Sequence, residues 1–311
     1  MKLAMVFPGQ GSQSVGMLKG YAGLPGLEQL RNEVKDILGE PFLKLLDEGP
    51  AEQLSLTVNT QPAMVAAGIA AYRAWLGLGG PPPAIVAGHS LGEYSALVAA
   101  GSLALKDALP LVRYRAQAMQ EAVPEGAGAM AAILGLDDEN AIAACAEAAQ
   151  GEVVQAVNFN APGQVVIAGH KAAVARAIEA CKARGAKRAM PLPVSAPFHS
   201  SLLRPAGNKL RIYLEKVVFS SPGFPVVNNV DVKEETTPEK IKDALVRQAA
   251  SPVRWVETIK RMADEGVTHV VECGPGKVLA GLVKRIDGRL QGFAAADRAS
   301  LEQALASVKG G

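Results

Sequence analysis

Aromatic residues make up only 5% of this 311-residue sequence, and it holds just three cysteines and four histidines. Cys145, Cys181 and Cys273 lie far apart and form no Cys-x-x-Cys pair. That pattern excludes a disulfide framework or a zinc ribbon and predicts reduced, mostly buried thiols in a cytoplasmic chain. No His-Glu-x-x-His or His-x-x-x-His spacing occurs, so no metal is expected. An excess of one charge is also missing. With 32 basic against 30 acidic residues the net charge is +2, which leaves no general footprint for nucleic acid. The most apolar stretches, Ala63–Ala71 and Val153–Val157, fall far short of the roughly 20 residues that span a membrane. Met1–Phe7 runs straight into Pro8 and Gly9, without the basic and apolar regions of a secretory signal. The expectation is a soluble cytoplasmic protein, acting as a monomer, with neither nucleic acid nor membrane as partner.

Hydrophobic side chains are plentiful, at 49%, so disorder is excluded. A chain of this length can bury about 75% of its unfolded surface in one large domain or two linked ones. Short apolar runs at Leu3–Phe7, Ala84–Ala87 and Val267–Glu272 alternate with helical patterns near 26–38, 60–77, 92–100, 105–122, 238–249 and 253–265. Strand, loop and helix in this alternation predict a mostly parallel sheet covered on both faces. Between Gly126 and about 195 the pattern changes to strand 128–134, helix 138–149, strands 152–157 and 164–168, helix 171–184, strand 187–192. This β-α-β-β-α-β order is that of a ferredoxin-like unit. It reads as an insertion, because the earlier alternation resumes after Pro197 with a helix near 200–216 and a strand near 225–228. The expected fold class is therefore α/β: a large subdomain with a mostly parallel sheet over 1–125 and 196–311, and a small ferredoxin-like subdomain over 126–195.

Gly88-His89-Ser90-Leu91-Gly92 follows an apolar strand and precedes a helical pattern, the setting of a nucleophile elbow. A turn that tight leaves no room for side chains at the two glycines and pushes the Ser90 hydroxyl above the sheet. The following helix aims its N-terminal N–H groups at any oxyanion formed there. An unassisted hydroxyl is a poor nucleophile, so Ser90 needs a base. His89 is adjacent on the turn and points away. His269 sits in an apolar strand, with its hydrogen bond expected to be satisfied, and His170 follows a strand of the inserted unit and is expected to face solvent. His199, in Pro197-Phe198-His199-Ser200, lies just where the chain re-enters the main subdomain and is the best base. Asp231 and Glu272 are the only candidate acids to orient it, and neither is well placed by pattern. Arg113 and Arg115, two apart on a helix, point about 200° from each other, so only one can face a cleft. Gly9-Gln10-Gly11 is a tight turn after a strand that could offer backbone N–H donors; it lacks the spacing of a dinucleotide fingerprint.

Five blocks occur in one order: Phe7-Pro8-Gly9-Gln10-Gly11-Ser12-Gln13, Gly88-His89-Ser90-Leu91-Gly92-Glu93-Tyr94, Arg113-Tyr114-Arg115-Ala116, Pro197-Phe198-His199-Ser200 and Glu272-Cys273-Gly274-Pro275-Gly276-Lys277-Val278-Leu279. Together they resemble the malonyl-CoA:acyl carrier protein transacylases of fatty-acid synthesis over about residues 2–308. The resemblance implies an α/β-hydrolase-like large subdomain and a ping-pong transfer of malonyl from coenzyme A to a carrier's phosphopantetheine thiol through Ser90. It implies no permanently bound cofactor; the coenzyme A thioester is a substrate. By the same resemblance His199 is the base, held by the backbone carbonyl of Gln248 rather than by a carboxylate. Gln10 and Leu91 supply oxyanion-hole N–H groups, and Arg115 grips the malonyl carboxylate. Asn158 and Asn160 line the cleft beside the small subdomain, while Phe198 crowds substituents on the acyl α-carbon. Cys273 departs from the aliphatic residue common at its position, which should affect packing alone. An acidic carrier is the implied partner, with Lys182, Arg184, Lys187 and Arg188 the densest basic cluster to meet it. The rival readings are a carboxylesterase or thioesterase, in which water is the acceptor, and a non-catalytic carrier-docking scaffold.

Overall fold

A computed structural model describes residues 1–310. The chain gives β1 (Leu3–Phe7) and β2 (Ile85–Gly88) to a first sheet, and β3 (Gly128–Leu134), β4 (Val154–Ala161), β5 (Gln164–His170) and β6 (Arg188–Pro191) to a second. It returns to the first with β7 (Val226–Val227), β8 (His269–Cys273) and β9 (Gln291–Ala295). The first sheet has the order β7-β2-β1-β8-β9, and every pairing in it is parallel. The second is antiparallel, with the order β4-β5-β3-β6. The molecule is thus mixed α/β, with a parallel sheet and a smaller antiparallel one.

β1 and β2 are buried along their whole length, as strands covered on both faces must be, and so they read as unbroken apolar runs. The helix Thr57–Gly77 is also buried on nearly every side, because it runs through the core against the helices Gly92–Ala99 and Leu105–Glu121. It starts one turn before the cap expected at Asn59 or Thr60, which leaves Pro62 inside it. The helices Asp138–Ala149 and Lys171–Ala183 pack on one face of the small sheet over a core of Ala, Val and Ile that also takes in Cys145 and Cys181. All three cysteines are free and buried. No described helix is long and apolar enough to cross a membrane.

Three helices and a strand escaped the sequence pattern; one of the helices, Ala51–Leu54, is a single turn. Glu40–Glu48 is short and carries Pro41 in its first turn, and Val278–Ile286 follows a Gly-Pro-Gly turn that masks its period. β9 is an edge strand of small residues around one phenylalanine, and Gly292 lets it approach the helix Val278–Ile286: a Cβ there would lie 2.4 Å from the Ala280 carbonyl oxygen.

The small sheet is tied to the large one beside the end of β2. β4 is irregular at Ala156/Asn158 and again at Phe159/Ala161, while its C-terminal half stays paired with β5 as far as Ala161. That half exchanges backbone bonds with Val253, from Phe159 N–H and to Val157 O. The elbow's two glycines are equally constrained. A Cβ on Gly88 would fall 1.8 Å from the Gly92 carbonyl carbon, and one on Gly92 would fall 2.0 Å from the Phe7 oxygen. Gly92→Ala must therefore lift the helix Gly92–Ala99 off the end of β1, a loss of about 1–3 kcal/mol. Gly281→Ala, on a helix with open space around the new methyl, is expected to gain about 0.4–1 kcal/mol. Urea midpoints check the pair; a Gly92→Ala midpoint equal to wild type would contradict the close approach.

Candidate active site

Ser90 sits between β2 and the helix Gly92–Ala99 with φ of +52°, a left-handed backbone that a non-glycine residue adopts at a cost of about 1–2 kcal/mol. Side chains distant in sequence, Asn229 and the last residue of the helix Pro238–Gln248, hold it there. Asn229 Oδ1 accepts the Ser90 N–H at 2.7 Å, Gln248 Nε2 donates to the Ser90 carbonyl at 2.9 Å, and Asn229 Nδ2 donates to the Gly88 carbonyl at 2.7 Å. Both backbone groups of the strained residue are thus satisfied. The Leu91 N–H at the head of the helix and the Gln10 N–H on the abutting turn have no acceptor among the described residues. Gly9 lets these two turns meet, since a Cβ on it would lie 2.9 Å from the His89 oxygen.

His199 is the histidine that reaches Ser90. Its Nε2 lies 2.6 Å from Ser90 Oγ and its Nδ1 lies 2.9 Å from the Gln248 carbonyl oxygen. A carbonyl only accepts, so Nδ1 carries the hydrogen, and Nε2 is left with a lone pair for the serine proton. The backbone of His199 is left-handed too, with φ of +64°. Burial, and then the charge of Arg115, drive its pKa down to about 3.

Arg115 is 1% exposed and still borders the cleft. Nη1 donates to Gln61 Oε1 at 2.9 Å, while Nη2 donates to Gln248 Oε1 at 2.9 Å and to Ser90 Oγ at 3.3 Å. No carboxylate touches it among the described residues, and its Nε is buried without a partner. This is a guanidinium with donors to spare and no counter-ion in contact. Burial lowers its pKa, yet an arginine stays charged. Arg113 turns the other way, over the Phe42 ring at 4.9 Å.

These groups meet in a cavity of about 220 Å³ lined by Gln10, Ser90, Arg115, Asn158, Phe198 and His199, with Met130, Val166, Leu192 and Val194 as an apolar wall from the small sheet's side. A second cavity of about 220 Å³ lies beyond a partition of Gln10, His89 and Asn160, which border both. His89 Nε2 donates to Asn160 Oδ1 at 2.7 Å, which joins the elbow to β4 and turns the ring away from Ser90. The remaining candidates are elsewhere. Asp231 is held by Arg247 at 2.6 and 2.8 Å, and Glu272 caps the helix Val278–Ile286 through the Ala280 N–H, so neither orients His199. His269 meets Thr268 Oγ1 at 2.8 Å, but His170 is not simply solvent-facing: its Nδ1 accepts the Val153 N–H. In the basic cluster Lys182 and Arg184 are already paired with Glu179 and Glu147, while Lys187 and Arg188 are exposed and make no ion pair among the described residues.

Sequence pattern missed Gln61, Asn229, Glu93 and the side chain of Gln248, all buried polar residues in the hydrogen-bond network behind Ser90 and Arg115. Gln61 sits inside an apolar helix, and a polar residue at such a position was the one available signal.

A serine with a buried neutral histidine, two free N–H donors and a guanidinium alongside is the geometry of serine-dependent acyl transfer. The acyl transferase domain family matches residues 4–293. The malonyl CoA-acyl carrier protein transacylase of Escherichia coli K12 is 55% identical over 305 residues, 98% of this chain and 99% of that one. That of Bacillus subtilis 168 is 46% identical over 310 residues, 99% and 98% of the two chains. The acyl-carrier-protein S-malonyltransferase of Burkholderia pseudomallei 1710b superposes with a TM-score of 0.96 at 63% identity, covering 98% and 99% of the two chains. A malonyl-transacylase solved with its holo type II PKS acyl-carrier protein gives 0.96 at 54% identity, covering 99% and 100%. The chain belongs to the acyl transferase domain family, among its malonyl-CoA:acyl carrier protein transacylases.

With a pKa of about 3, His199 remains neutral, and so able to accept a proton, through mildly acidic pH. The kcat/KM for acylation of Ser90 by a thioester is expected to change less than about twofold between pH 7.5 and 5.5. A histidine at the ordinary value of about 6.5 would lose about tenfold by pH 5.5. An acid limb centred near 6.5 would contradict the burial argument.

Proposed function

We propose that the protein transfers malonyl from malonyl-CoA to the phosphopantetheine thiol of an acidic acyl carrier protein, supplying fatty-acid chain elongation. The observation that carries this reading is the pairing of Ser90 and His199 beside a guanidinium with unused donors. Ser90 Oγ attacks the thioester carbonyl carbon as its proton passes to His199 Nε2. The Gln248 carbonyl keeps the imidazole in the tautomer that can take the proton and stabilises the cation that results. The N–H groups of Leu91 and Gln10 face the oxyanion. The C–S bond then breaks, the coenzyme A sulfur takes the proton from His199, and malonyl remains on Ser90 as an ester. In the second half the carrier thiol gives its proton to His199 and attacks the ester, and Ser90 leaves with that proton. The thioester brings its own activation, so the chemistry calls for no cofactor.

Arg115 holds the malonyl carboxylate, with Asn158, Asn160 and Phe198 lining the cleft around the acyl group and its thiol arm. A planar guanidinium suits a carboxylate because two parallel hydrogen bonds can form. Residues 1–125 and 196–311 make the α/β-hydrolase-like catalytic subdomain, and 126–195 an inserted ferredoxin-like one; the β4-β5-β3-β6 order and the all-parallel large sheet support this division. Lys187 and Arg188 are the exposed cations of the basic cluster left to meet an acidic carrier. The three free, buried thiols suit a cytoplasmic setting.

Arg115→Ala is expected to depress malonyl transfer by about two orders of magnitude or more, since an unpaired carboxylate in the cleft costs about 2–5 kcal/mol. Acetyl-CoA brings no carboxylate, so its transfer should hold steady or rise. Arg115→Lys should recover little, and Arg113→Ala should leave selectivity intact. Equal losses for malonyl and acetyl in Arg115→Ala would make the arginine structural and return the esterase reading.

A further inference from the structure

Glu93 stands in the first turn of the helix Gly92–Ala99, three residues beyond the nucleophile, and is 2% exposed. Buried carboxylates are normally paired with a cation. Among the described residues this one has no cation in contact: Oε2 accepts the Asn229 N–H at 2.9 Å and the Gln248 Nε2–H at 2.9 Å. The guanidinium of Arg115 is one amide further on, since Gln248 Oε1 takes its Nη2. A carboxylate in direct contact with Arg115 would compete with an acyl carboxylate for the same donors. An amide between the two leaves those donors available and still gives the arginine an oxygen to lean on.

A glutamine amide has two ends of nearly the same shape, and only its partners decide which way it faces. Turned over, Gln248 would set N–H donors against those of Arg115 and push the guanidinium aside. Two close acceptors select the observed orientation, the Ser90 carbonyl on one side and Glu93 Oε2 on the other, each at 2.9 Å; Asn229 Oδ1 lies farther off at 3.5 Å and already takes the Ser90 N–H at 2.7 Å. The Ser90 carbonyl belongs to the elbow itself, so Glu93 is the side chain that makes the choice. Burial raises its pKa to about 7, and the argument holds in either protonation state, because a proton on Oε1 leaves Oε2 an acceptor.

We propose that Glu93 is a positioning residue for acyl selection: it orients the Gln248 amide so that Oε1 faces Arg115, and thereby keeps the guanidinium aimed at the acyl carboxylate. The proposal rests on the malonyl reading above. Its test is steady-state transfer to pantetheine from malonyl-CoA and from acetyl-CoA, in wild type and in Glu93→Ala, Glu93→Gln and Glu93→Asp. Glu93→Ala should lower the malonyl-over-acetyl ratio of kcat/KM at least tenfold, mainly through the malonyl KM. Glu93→Gln should stay within about threefold of wild type, because its carbonyl oxygen can receive the same two N–H groups. If the alanine protein does not fold, Glu93→Asp replaces it: its carboxylate is one methylene short of the amide and should shift the ratio the same way. Equal slowing of both donors in these variants would overturn the proposal, leaving Glu93 a scaffold residue. A folded Glu93→Gln protein that loses selectivity as fully as the alanine variant would also overturn it, since charge and not acceptor position would then matter. A wild type with no preference for malonyl would overturn the malonyl reading and this proposal with it.

Discussion

Ser90 is held in a left-handed backbone by side chains that lie far from it in sequence, and the rest of the site follows from that restraint. Asn229 and Gln248 take its N–H and its carbonyl, so the strain is balanced by two hydrogen bonds rather than by the turn alone. The same Gln248 uses its backbone oxygen for His199 and its amide oxygen for Arg115. One residue therefore spaces nucleophile, base and guanidinium relative to each other. Movement of the chain near Gln248 would disturb all three together.

Electrostatics give the arrangement its direction. Burial first, and the charge of the buried Arg115 second, keep the histidine neutral, because a second positive charge there is unfavourable. On the proposed reading, an acyl carboxylate at Arg115 would relieve that opposition and make an imidazolium easier to form while the serine proton is being moved. Using a backbone carbonyl in place of a carboxylate behind His199 fits this scheme. A carboxylate would raise the resting pKa of the imidazole, and it would also offer Arg115 a permanent partner.

Much of this was legible in the sequence, for local physical reasons. The elbow needs glycine at 88 and 92 because backbone fills the space of either Cβ, so the motif advertises itself. The two sheets were legible because β1 and β2 are unbroken apolar runs, β8 carries a buried Val-Val pair, and the segment from Gly128 to Pro191 follows a regular order of strands and helices. His199 emerged by elimination among four histidines, and the five blocks in order pointed to Arg115. The hydrogen-bond network behind Ser90 and Arg115 was hidden. Gln61, Glu93, Asn229 and Gln248 come together only after folding, Glu93 and Gln248 bonding across 155 residues, and a lone Gln or Asn carries no periodic signal. The acids that a catalytic triad would lead one to seek, Asp231 and Glu272, have structural partners instead.

The most direct test is intact-mass measurement after the protein is mixed with malonyl-CoA, followed by peptide mapping and by addition of a phosphopantetheinylated carrier. The account predicts one malonyl group on Ser90, none in Ser90→Ala, and loss of the adduct as the carrier gains the same mass. An adduct on another residue, or free malonate appearing in place of malonyl-carrier, would contradict it.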